Sequence, residues 1–294
     1  MRYPAHAAFI APATERSALW RLVLGCGVAL VVFALTLGAM TGLLVAVVGS
    51  EALAVWIARL QEPDTPIATL MVLSTFLGMV FAALAAARLL HRRGLLSLIG
   101  QNGHVSDDFV RGAGIAFAIL ILSLAWFLWR NPVEANLAFA TWAMLLPLAL
   151  LAILIQTGAE ELLFRGYLQQ QLAARFANPL VWMLIPSLLF GLAHFDPAGM
   201  GSTAPLMLAA ATIFGLLAAD LTAKTGSIAA AWGFHFANNC LALLAVAVPG
   251  SISGLSLYLT PFRFDDTDVL LPMIAQDMAV TVLIWAAIRT ALHR

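Results

Sequence analysis

Residues 19–48, LWRLVLGCGVALVVFALTLGAMTGLLVAVV, carry one charged side chain, Arg21, in a run of otherwise apolar and small residues. Inside a bilayer every backbone amide must find its partner within the segment, so a helix of about 20 apolar residues is what crosses a hydrocarbon core of about 30 Å. This stretch is long enough to span. It is too long for the core of a secretory signal, so a retained anchor is expected. Comparable runs recur at 67–90, 112–129, 139–157, 180–195, 205–223, 227–249 and 269–291. The reading is an all-α polytopic membrane helix bundle with about eight transmembrane helices, a single membrane domain over 1–294 with an N-terminal tail at 1–18. The runs lack the alternating ten-residue pattern of a membrane β-barrel.

Composition points the same way. The chain is 62% hydrophobic and 10% charged, against roughly 45–50% and about 25% in soluble domains. Fifteen basic residues balance fifteen acidic ones, leaving no basic stripe for nucleic acid to bind. The expected surroundings are a lipid bilayer, the plasma (inner) membrane of a bacterium. Cys26 and Cys240 lie in separate apolar runs, which is no disulfide framework. There is no internal repeat and no linker rich in Gly, Ser or Pro.

Against this background three polar clusters stand out: Glu160-Glu161 with Arg165, Phe190 with His194, and His235 with Asn239. Ionisable groups at bilayer depth are costly and mark function by default. The segment 158–176 reads as an amphipathic helix, and Asn178-Pro179 as a stop and turn. Glu160 lies 18 residues before position 178 and His194 lies 16 after it, so a helical hairpin turning there brings the two side by side.

Neighbouring glutamates on a helix point about 100° apart, so they take different roles. Glu161 stands four residues before Arg165, the favourable order for an ion pair. Glu160 is then free to act as a base, with His194 as its partner in activating water. His235 and Asn239 project from one helix face and can donate hydrogen bonds to a developing oxyanion. Water activation plus an oxyanion hole describes amide hydrolysis. Asp220 and Lys224, four apart, read as a local ion pair, and His6 and His91 as solvated or interfacial histidines.

Together, Glu160-Glu161-Leu162-Leu163-Phe164-Arg165-Gly166, Phe190-Gly191-Leu192-Ala193-His194 and His235-Phe236-Ala237-Asn238-Asn239 resemble the CPBP family of intramembrane proteases. That family includes CAAX prenyl endopeptidases and bacteriocin-processing or immunity-type (Abi) membrane proteins. The resemblance covers a catalytic core at about 150–245. It implies proteolysis of a membrane-associated or lipid-anchored peptide or protein, with Glu160 and His194 activating water and His235 and Asn239 binding the carbonyl oxygen.

The family is often grouped with metalloproteases, but the chain has no His-Glu-x-x-His helix. No cofactor is required by these residues. Zinc is the alternative, with Glu160, His194 and His235 as its ligands and water in the fourth position. Residue types leave both open, and the metal-free, glutamate-dependent site is favoured. Readings of another class are a proton-coupled transporter, which intramembrane Glu and His also suit, and a non-catalytic membrane immunity factor.

Overall fold

A computed structural model describes all residues except 1, 2, 102, 265, 293 and 294. The helices that build the site are α1 (Pro4–Thr14), α2 (Leu19–Val48), α3 (Pro66–His91), α4 (Val105–Arg130), α5 (Phe139–Arg175) and α6 (Leu180–Ala193). They are followed by α7 (Ala204–Thr225), α8 (Ala229–Leu244) and α9 (Thr267–Ala291). The all-α membrane bundle stands. Its one departure is a three-stranded sheet of two-residue strands, β1 (Glu134–Ala135), β2 (Val246–Ala247) and β3 (Tyr258–Leu259), in the order β1-β3-β2. β3 runs antiparallel to β1 and parallel to β2, tying the loop before α5 to the chain after α8.

The count of about eight crossings resolves differently. Among the described residues six helices are long and apolar enough to cross a membrane: α2, α3, α4, α5, α7 taken with its lead-in from Pro197, and α9. The apolar runs at 180–195 and 227–249 become the short helices α6 and α8. At about 1.5 Å per residue they reach roughly 21 and 24 Å, less than a full crossing. Hydropathy could not separate them from spans, because a helix enclosed by other helices is as apolar as one enclosed by lipid. α8 buries residues on every side, from Ala229, Ala230 and Ala231 to Phe234, His235 and Cys240.

α8 packs along α4 with no room for side chains between the backbones. A Cβ on Gly233 would stand 2.2 Å from the Phe109 carbonyl oxygen, and one on Gly112 would stand 2.5 Å from that of Ala230. Without a hydrophobic drive between helices in lipid, such close approach of small residues is what supplies van der Waals contact. Gly233→Ala is therefore expected to lower stability by about 1–3 kcal/mol through overpacking, read as a lower thermal midpoint in detergent. Gly27 on α2, around which a Cβ would meet nothing within 4 Å, is the control: Gly27→Ala should not lower the midpoint. Equal midpoints for the two variants would contradict this packing argument.

The segment 158–176 is helical as read and forms the second half of α5; Gln156, Glu160, Glu161, Arg165, Gln169, Gln170 and Gln171 are all buried. Two of these glutamines bond neighbouring backbone: Gln169 Nε2 donates to Ala219 O at 3.1 Å, and Gln170 Nε2 donates to Phe9 O and to Ser97 O. Two other polar expectations are corrected. Asp220 does not pair with Lys224. It accepts from Tyr3 Oη on α1 (2.7 Å) and from Trp285 Nε1 (2.9 Å) and Arg289 Nε (2.8 Å) on α9, pinning both helices to α7. His6 and His91 are buried, not solvated, because residues 4–14 of the supposed tail form a helix packed into the bundle, where His6 lies 4.4 Å from the Trp182 ring.

Candidate active site

Three helix segments bring the polar clusters together. α5 enters the core as an ordinary helix and, directly after Glu161, widens into a π-helical turn over Leu162–Gln169, a distortion that recurs at functional sites. It ends at Arg175, and Asn178 Oδ1 accepts from Leu180 N at 3.0 Å to start α6. The expected hairpin is thus formed and returns His194 to the neighbourhood of Glu160. His194 terminates α6. α8 supplies His235 and Asn239 from the opposite side.

His235 is the hub. Its Nδ1 donates to Glu161 Oε1 at 2.9 Å, and the same oxygen accepts from Arg165 Nη1 at 3.0 Å. Two donors on one oxygen hold Glu161 as a carboxylate, and the bond from Nδ1 assigns the imidazole proton to that nitrogen. The opposite nitrogen, Nε2, stands 3.2 Å from Glu160 Oε2. That oxygen has no hydrogen-bond partner among the described residues although it is buried, the kind of vacancy that a water or a reacting group satisfies. The two glutamates differ in their contacts, yet both reach the same imidazole, one at each ring nitrogen.

The Arg165 guanidinium is fully enclosed. It lies 4.7 Å from the centre of the Phe190 ring and 5.9 Å from that of Phe214, and Nη2 donates to Gly215 O at 3.4 Å. The same two rings flank His235, at 5.9 and 4.9 Å. Phe190, quoted in sequence only as a marker one turn before His194, packs against Arg165, His194 and His235 together. Cation–π contact with the ring faces favours the charged arginine in this setting.

His194 is half-buried, and its Nδ1 donates to the carbonyl of Phe190, one turn earlier, at 2.8 Å. Fixing the proton on Nδ1 leaves Nε2 as an acceptor. His194 is near enough to Glu160 to interact with it electrostatically, but no hydrogen bond joins them; the histidine nearest Glu160 is His235. Asn239 Nδ2 donates to Gln156 Oε1 at 3.1 Å. Gln156, one helical turn before Glu160, is the residue sequence reasoning did not single out. Its signal was a polar side chain on the α5 face of Glu160.

His194, His235 and Asn239 line a cavity of about 180 Å³, with Phe190 and Phe214 among its apolar walls. Glu160 sits behind His235 instead of on that wall. A cavity of this size holds a few waters or a short piece of peptide backbone. The zinc set Glu160, His194 and His235 is not assembled: among the described residues no group of three or more His, Cys, Asp or Glu side chains is placed to hold a metal ion.

Residues 141–241 match the family model described as type II CAAX prenyl endopeptidase Rce1-like, so the resemblance read from the motifs is shown over this part of the chain. A 121-residue stretch is 38% identical to the uncharacterized protein YyaK of Bacillus subtilis (strain 168), covering 41% of this chain and 40% of that relative. The chain thus matches less than half the length of this relative. No solved structure matches.

Proposed function

We propose, from the match of residues 141–241 to the Rce1-like CAAX endopeptidase model and from the geometry above, that the protein is a metal-free intramembrane endopeptidase of a bacterial plasma membrane. It cleaves a peptide bond in a membrane-associated or lipid-anchored substrate. The observation that carries this reading is the placement of His235 between Glu160 and Glu161, with His194 and Asn239 opening on the same cavity.

A water between Glu160 and His194 Nε2 loses a proton to the Glu160 carboxylate as its oxygen adds to the scissile carbonyl carbon. The carbonyl oxygen becomes an oxyanion and takes donors from His235 and Asn239. With Nδ1–H committed to Glu161, His235 donates from Nε2 as the imidazolium. Once Glu160 has taken the proton, the Glu161 carboxylate and the oxyanion face one guanidinium and one imidazolium, so the charges of the buried site balance. Collapse of the tetrahedral intermediate breaks the C–N bond, and the proton held by Glu160 passes to the departing amine. Each oxyanion donor of this type is worth roughly 3–4 kcal/mol. Gln156 is a positioning residue, since it occupies one amide hydrogen of Asn239 and aims the other.

The test is cleavage of a membrane-anchored peptide library by the purified protein reconstituted in lipid vesicles, with and without a strong chelator. Activity that persists after chelation is expected. Activity lost to the chelator and restored by zinc would replace this mechanism with the zinc-dependent one, and a wild type that cleaves nothing would move the assignment to transport or scaffolding.

A further inference from the structure

The wall of the active-site cavity continues past the histidines. Asn238 and Asp277 line both that cavity and a larger one of about 540 Å³ enclosed by α4, α8 and α9. On α9, Met273, Asp277 and Thr281 follow at intervals of four, so one helix face looks into both spaces: Met273 into the larger, Thr281 into the smaller and Asp277 into each. A space of this volume is in the range of a ligand site.

Asp277 is the eleventh residue of the 25-residue α9, about 15 Å from its start. It is exposed toward the cavities, and among the described residues it has no hydrogen bond, ion pair or charged neighbour. Arg130, the other charge on the larger cavity, lies at the end of α4 with its guanidinium 5.5 Å from the Trp126 ring centre. Of the other acids, Glu161 pairs with Arg165 and His235, Glu160 faces His235 Nε2 at 3.2 Å, and Asp220 pairs with Arg289. A carboxylate at this depth that serves no internal contact is the intramembrane group expected to meet a ligand.

We propose that Asp277 determines specificity by receiving a Lys or Arg side chain of the substrate peptide in the larger cavity, beside the bond that is cut. This inference rests on the endopeptidase reading above. Leu120, Leu124 and Phe127 on α4 offer the apolar track along which the methylene stem of such a side chain lies, with its charged head at the polar end. Asn238 and Gln276 flank the carboxylate with further hydrogen-bonding groups. A neutral residue of the same length leaves Asp277 desolvated and unpaired, so it is discriminated against by at least roughly 30-fold in kcat/KM.

The experiment uses the full chain in lipid vesicles and a library of membrane-anchored peptides randomised around the scissile bond. The readouts are product sequencing and kcat and KM for matched Lys and Gln peptides. The wild type should enrich Lys or Arg at one position, with the discrimination appearing mainly in KM. In Asp277→Asn, shown folded by its thermal midpoint, the Lys-to-Gln ratio should fall to near one, and in Asp277→Lys the preference should turn to Asp or Glu. Cleavage by the wild type without a basic preference, or a ratio unchanged in Asp277→Asn, overturns this inference alone. No cleavage of any peptide by the wild type overturns it together with the endopeptidase reading.

Discussion

Glu160→Gln abolishes cleavage while leaving the protein folded. The substitution keeps the shape of the side chain and removes the atom that takes the proton from water, and a positioned general base is worth roughly 10²–10⁴ in rate. The fold should not suffer, because Glu160 Oε2 has no hydrogen bond to lose among the described residues, and the amide fills the same volume. Purified variant and wild type are compared for kcat on one membrane-anchored peptide and for thermal midpoint. Cleavage by Glu160→Gln at the wild-type rate would falsify the assignment of Glu160 as base and shift that role to His194.

Arg165→Ala has the opposite profile: folded yield and activity fall together. Arg165 is 2% exposed, its partner Glu161 is 0% exposed, and they meet at 3.0 Å. Removing the guanidinium strands a carboxylate in the core and costs about 3–5 kcal/mol, a large part of the stability of an ordinary domain. It also frees the oxygen that orients His235 Nδ1. Replacing both partners, Glu161→Gln with Arg165→Met, should recover much of the thermal midpoint, since breaking a buried pair is worse than replacing it. Activity should stay low because His235 has lost its charged anchor. The idea fails if Arg165→Ala melts like the wild type, or if the double variant cleaves normally.

These two outcomes separate what single residues do from what their surroundings do, and the same division runs through how the molecule can be read. Apolar runs announced α2 to α9 but not α1, because in lipid the helix is the economical way to satisfy a backbone. The spacing of Glu161 to Arg165, at one helical turn, announced their ion pair, since the geometry of such a pair is local. The hairpin at Asn178-Pro179 could be counted for the same reason, each residue advancing the helix by a known rise.

Asp220 shows where counting stops. Lys224 is its neighbour on the helix, yet its partners Tyr3, Trp285 and Arg289 come from the two ends of the chain. No period in the sequence relates positions 3, 220 and 289. His235 shows it again: its 74-residue separation from Glu161 is invisible to helical spacing, whereas His194 could be placed beside Glu160 by counting through the hairpin. The segment 158–176 reads as amphipathic, and only the packing of α1, α3, α6 and α7 around it reveals that its polar side chains are buried.

The sequence by itself determined that this is a helical membrane protein, where α2 to α9 run, and which polar side chains stand out among the apolar runs, because hydrophobic length and the cost of buried charge are properties of segments and residues. The tertiary structure alone decided which of eight apolar runs are long enough to cross, which histidine stands between the two glutamates, and that Asp277 looks into the cavity beside them. Those facts depend on helix ends, rotation and depth, which arise when side chains from distant segments compete for the same enclosed volume.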